Sequence, residues 1–194
     1  MNPYIKFNNI LKLYIKEEEI EKLPYRWGEP HRYYHTIYHL INVIDKIENN
    51  IYFNELCVLD KHALLLAAFF HDIIYNSKFN NNEDQSIKYF IKSFKSSNQE
   101  LLRVVCDLIN ITKYRKRPIN WLKRIFWDAD NATFLLPYEE QVIIDQKIRK
   151  EYSHLSKELY KENRIKFYES NIGLFNSNVD NIIKKLIENV KKIY

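Results

Sequence analysis

Glycine is nearly absent from this chain of 194 residues, which has 2 glycines, 5 prolines, 2 cysteines and 1 methionine. Two glycines as far apart as Gly28 and Gly173 cannot build a glycine-rich phosphate loop, so Walker-type and dinucleotide-binding fingerprints are excluded. The scarcity of turn formers also argues against a β-rich fold with many tight reversals. Cys57 and Cys106 lie among apolar residues and form no CxxC pair. They read as two reduced, buried thiols, not as a disulfide framework or a structural zinc site. No apolar run is long enough to span a bilayer, and the N-terminus has no signal-peptide-like apolar core. The expectation is a soluble, cytoplasmic protein with no membrane partner.

What is present is apolar and aromatic: 46% hydrophobic residues, with 15 Tyr and 11 Phe, enough for one sizeable core in a single domain over 1–194. Thirty basic residues interleave with 25 acidic ones for a net charge of +5, which suits a small anionic ligand and does not call for nucleic acid. Apolar residues recur at helical spacing almost throughout, and no alternating strand pattern is found. Helices are predicted at about 3–22, 33–48, 56–74, 82–96, 99–113, 121–136, 138–153, 156–171 and 178–192. Asn98 and Asn120 serve as caps, Asn82 with Gln85 forms a capping box, and 24–30 is a loop holding Trp27. The three tryptophans, Trp27, Trp121 and Trp127, read as core. The fold class is all-α: a helical bundle of about eight to nine helices.

One stretch organises the chemistry. The run Leu64-Leu65-Leu66-Ala67-Ala68-Phe69-Phe70 ends abruptly in His71-Asp72. Neighbours on a helix diverge by about 100°, so at least one of these two polar side chains must enter an apolar interior. A buried carboxylate there needs a partner, and an imidazole beside a carboxylate suits a divalent ion as well as a plain hydrogen bond. Two further groups of the same kind occur. His35 and His39 stand four apart in His31-Arg32-Tyr33-Tyr34-His35-Thr36-Ile37-Tyr38-His39, and Asp128 and Asp130 sit in the apolar context of Ile125 to Leu135. Thr36 occupies the place where a zincin motif needs glutamate, so that chemistry is excluded.

The order His, then His-Asp, then Asp resembles the HD-domain superfamily of metal-dependent phosphohydrolases. The strings RYYHTIYH, LAAFFHDIIY, NNEDQS and WDADNATF resemble one poorly characterised subgroup of predicted HD hydrolases, over about residues 25–170. The subgroup also carries a run like Arg149-Lys150-Glu151-Tyr152 and a later arginine such as Arg164.

The resemblance implies one divalent metal held by His35, His71, Asp72 and Asp130. Asp128 competes for the fourth place, and Asp130 is preferred because it follows the small Ala129. Thr112 is followed by Lys113 where relatives often have another histidine, which favours a single ion over a pair. Mixed nitrogen and oxygen donors suit Mn, Fe, Co or Ni better than Mg, and Zn also fits. Asp72 and Glu83 are the candidate bases, with Glu83 at a helix start that also suits an anion. Arg32 and His39 are read as substrate-facing, and 113–117 as a basic rim drawing in phosphorylated ligands. The expected activity is hydrolysis of a nucleotide or another small phosphorylated metabolite. The alternative is a catalytically silent domain of the same type that senses a nucleotide.

Overall fold

Ala63 to Phe70 form an unbroken buried stretch in which every residue is 3% exposed or less. A helix apolar on all sides must be wrapped by others, and in this computed structural model, which describes residues 2–194, it is. The chain begins with four short helices, α1 (Pro3–Lys6), α2 (Asn8–Tyr14), α3 (Glu17–Ile20) and α4 (Leu23–Trp27). Next come α5 (Ile37–Glu48), the central α6 (Val58–Phe70), α7 (Asn82–Ser93), α8 (Gln99–Asn110) and α9 (Trp121–Asp130). The chain closes with α10 (Tyr138–Glu151), α11 (Lys157–Glu169) and α12 (Ser177–Ile193). Helix α6 packs against α5, α7, α8 and α9, while α11 and α10 pack on α12.

Two apolar clusters result. The larger gathers the α6 run with Leu11, Trp27, Leu40, Phe90, Val105 and Phe126. The smaller joins Phe134 and Tyr168 to the inner face of α12 (Val179, Ile183, Leu186, Val190). The caps predicted at Asn98 and Asn120 are in place, and Asn176 caps α12 as well. Asn98 accepts from the Leu101 N–H, Asn120 from the Lys123 N–H and Asn176 from the Val179 N–H, at 2.9, 3.0 and 3.1 Å. Gly173 lies between α11 and α12 with φ +81°, a left-handed turn that needs a residue without Cβ.

The fold is all-helical among the described residues, with more and shorter helices than the eight to nine expected. The segment 3–22 is broken because Ile15 is fully buried in extended conformation, bridged antiparallel to Phe94. The tertiary partner overrides the helical spacing there. Trp27, expected in a loop, closes α4, and its indole donates to the Phe69 carbonyl at 3.1 Å. The 82–85 capping box does not form. Asn81 holds the cap position without a side-chain bond, and Asn82 instead accepts from the Asn76 N–H at 3.0 Å, tying down the preceding loop. Cys57 is exposed rather than buried, because it caps α6 at the surface. Trp121, in the first turn of α9, is 49% exposed and not core.

Candidate metal centre

Helix α6 ends at Phe70, with His71 as its C-cap still in helical conformation. The chain then turns, the Ile73 N–H donating to the Phe70 carbonyl at 3.3 Å. Divergence by about 100° holds only inside a helix, and this turn brings both polar side chains to one point. His71 Nε2 lies 3.3 Å from Asp72 Oδ2.

Two other helices deliver groups to the same point. His39, in the first turn of α5, places Nε2 at 3.1 Å from His71 Nε2 and 3.7 Å from Asp72 Oδ2. Asp130, the last residue of α9, places Oδ1 at 3.3 Å from His39 Nε2 and 3.5 Å from His71 Nε2. Donor atoms of His39, His71 and Asp72 all lie within 4.8 Å of one another, so this group can hold a metal ion. His35 stands just outside α5, since Thr36 is the N-cap. Its Nε2 approaches Asp72 Oδ2 at 4.0 Å.

Glu151 at the end of α10 organises His35. One carboxylate oxygen accepts the backbone N–H groups of Tyr33, Tyr34 and His35 at 2.8, 2.7 and 3.0 Å. The other accepts from His35 Nδ1 at 2.7 Å and from the Tyr75 hydroxyl at 2.8 Å. These bonds outweigh burial and hold the Glu151 pKa down at about 2. Such anion binding by successive N–H groups has no sequence signature, because Glu151 is 116 residues from His35. The only signal in the chain was its place in the Arg149–Tyr152 run.

The ring nitrogens facing away from the centre determine what the inner ones offer. His71 Nδ1 lies 2.9 Å from the Ala68 carbonyl, and His35 Nδ1 faces a carboxylate. Both partners can only accept, so Nδ1 of each ring carries a proton and Nε2 is the atom that faces the centre. Ring nitrogens therefore meet carboxylate oxygens, an arrangement that calls for positive charge between them. Without an ion, protons supply it. Burial opposes charge on His71, but Asp72 and Asp130 overcome it and hold its pKa well above the usual histidine value. Burial likewise opposes charge on Asp72 and Asp130, yet the facing histidines hold both below the usual carboxylate range. A divalent cation satisfies the same donor set directly.

Known protein families, characterised proteins and solved structures offer no match to this chain.

Asp128 and Arg32 lie apart from this convergence. Asp128 is engaged by Arg117 in a two-pronged pair at 2.9 and 2.7 Å, two residues along α9 and on another side from Asp130. The Arg32 guanidinium is fully buried behind the centre. It donates to the carbonyls of His35, Asp72 and Ile73 at 3.1, 2.7 and 3.1 Å and pairs with Glu29. It fixes the backbone that carries the donors. His31 also points elsewhere, to the Tyr75 carbonyl at 2.8 Å.

The centre opens into a cavity of about 800 Å³ that reaches Phe134 and Tyr168 of the smaller apolar cluster. Its wall includes His35, His39, Asp72, Asp130 and Glu83 on one side and Arg164 and Phe167 of α11 on the other. Burial, with help from the Asp72 charge, raises the Glu83 pKa above the ordinary glutamate value.

Proposed function

We propose that this chain is an HD-type, metal-dependent phosphohydrolase acting on a nucleotide or another small phosphorylated metabolite. The observation that carries the reading is the inward convergence of histidine Nε2 atoms on Asp72 and Asp130 beside an open cavity. His39, His71, Asp72 and Asp130 are the ligands, with His35 beside them. The donors suit one ion of Mn, Fe, Co or Ni more than Mg, and Zn also fits. Bound there, such an ion supplies Lewis acidity, lowering the pKa of water and offsetting negative charge on a phosphoryl oxygen.

The chain's own residues divide the remaining work. His35 and His71 are oriented by Glu151 and by the Ala68 carbonyl, which aims their Nε2 atoms at the centre. Asp72 neutralises and orients. Glu83, with its raised pKa and its place on the cavity wall, holds or delivers a proton for the leaving group.

Elemental analysis of the purified protein, beside a His71→Ala/Asp72→Ala variant that stays folded by circular dichroism, tests the reading. About one ion per chain, lost in the variant, with Mn²⁺-dependent phosphate release from small phosphomonoesters or nucleotides, is expected. Glu83→Gln is expected to lower kcat about 100-fold while metal content is unchanged. Metal and nucleotide binding without phosphate release would assign the site to a sensor module instead. No metal after reconstitution overturns the reading.

A further inference from the structure

The basic segment between α8 and α9 is held at both ends. Lys113 pairs with Asp84 at 2.8 Å, and Arg117 pairs with Asp128 at 2.7 Å. Arg115 lies between these anchors and belongs to the cavity wall. Its guanidinium stacks on Phe167 of α11, 4.5 Å from the ring centroid. A second guanidinium, that of Arg164, also lies 4.5 Å from this ring, but its charge is met by the buried Asp145. Arg115 has no such partner: among the described residues no carboxylate lies within ion-pair distance of it. Lys78, the other uncompensated cation of the wall, is exposed and outside the helices like Arg115, but packs on no aromatic ring. A guanidinium held on a ring keeps its donors oriented, whereas a free lysine does not.

We propose that Arg115 forms a second anion subsite in this cavity, so that the substrate carries two anionic groups, one phosphoryl group for the His–Asp centre and one carboxylate or phosphate for the guanidinium. This rests on the reading of the centre as a phosphoryl site. The chemistry is that of oxyanion recognition by a preorganised planar donor. The two anchoring pairs use up the charges of Lys113 and Arg117, and Lys116 is not part of the cavity wall, so the segment presents one cation to the cavity instead of a diffuse basic rim. Substrates with a neutral tail leave Arg115 unpaired and gain nothing from it.

Calorimetry with non-hydrolysable ligands in the presence of Mn²⁺ tests this. Alkyl phosphonates are compared with ω-carboxyalkyl phosphonates of the same length, over a short series of lengths. The wild type is expected to bind the carboxylated ligand about 10-fold more tightly at the length that spans the cavity. Arg115→Gln is expected to abolish that preference while changing the affinity for the plain alkyl phosphonate by less than about 2-fold. Arg115→Lys should restore part of the preference, and Lys116→Gln, which removes an equal charge from the same segment outside the cavity, should leave it intact.

Equal binding of both ligands by the wild type overturns the subsite, as does an equal loss for both ligands in Arg115→Gln. An effect of Lys116→Gln as large as that of Arg115→Gln, or no binding of either ligand, overturns it too. Hydrolysis of an alkyl phosphate is followed in parallel. A retained calorimetric preference without turnover removes the phosphohydrolase reading and leaves the subsite standing. Turnover without preference does the reverse.

Discussion

Glu151 is a single carboxylate accepting three backbone N–H groups, a ring N–H and a phenol. It sets both the tautomer and the position of His35, and both follow from its charge, since a neutral amide must turn an N–H toward one of these donors. Glu151→Gln is therefore expected to weaken Mn²⁺ binding by about 10- to 100-fold with the helical content unchanged. Calorimetric titration checks this, and an unchanged affinity would show that His35 needs no such support. Glu19 illustrates a charged residue with a purely structural task. It is 5% exposed, accepts from the Tyr89 hydroxyl at 2.6 Å and pairs with Lys22. The Tyr89 hydrogen bond, against the effect of burial, holds its pKa below the ordinary 4.5. A carboxylate whose folded pKa is depressed stabilises the fold above its unfolded pKa and ceases to do so as pH falls through the folded one. Glu19→Gln is thus expected to be less stable than the wild type at neutral pH, with the gap closing below about pH 4.5 in urea titrations at stepped pH.

Among the elements, α6 carries the most. Its apolar residues on every side make the central position inevitable, and removing bulk there leaves a cavity that its neighbours cannot fill. Leu66→Ala is expected to cost about 2–5 kcal/mol in denaturant unfolding. Helix α9 shows the complementary role of a cap. Asn120→Ala removes the bond to the Lys123 N–H and should cost about 1 kcal/mol, seen as a shift of the urea midpoint with the slope unchanged. Local chemistry of this kind is legible in a sequence, and Asn98 and Asn120 cap where their side chains predict. The first 27 residues are the contrary case. Helical spacing over 3–22 is real, but Ile15 pairs with Phe94 from the end of α7, and a bridge to a distant segment leaves no local pattern.

At the level of the whole molecule, the centre joins the start of α5, the end of α6 and the end of α9, so an ion bound there links three elements at once. Binding only to the folded state stabilises it by about 2.7 kcal/mol at a ligand concentration 100 times Kd. Added Mn²⁺ is expected to raise Tm in the wild type, and Asp130→Asn to remove most of that rise. Asp128→Asn should leave it in place, because Asp128 is engaged by Arg117. Thermal melts with and without Mn²⁺ read the comparison, and a loss of the shift in Asp128→Asn alone would reverse the assignment of ligands.

The chain by itself determined the helical class, the burial of Ala63–Phe70 and the polar pair that ends it, because periodicity, composition and capping act over a few residues. It also marked His39, read as facing substrate, and Asp130, preferred over Asp128 as a metal ligand. Only the tertiary structure brings both side chains to His71 and turns Asp128 to Arg117. Two residues on one helix differ by a rotation that spacing reports, but which side meets His71 depends on how α9 crosses α6. The same holds for Arg32, drawn into backbone carbonyls, for Glu151, brought to His35 from 116 residues away, and for Arg115, left without a partner by the pairs on either side. Electrostatic partners are chosen by proximity in space, and sequence separation carries almost none of that information.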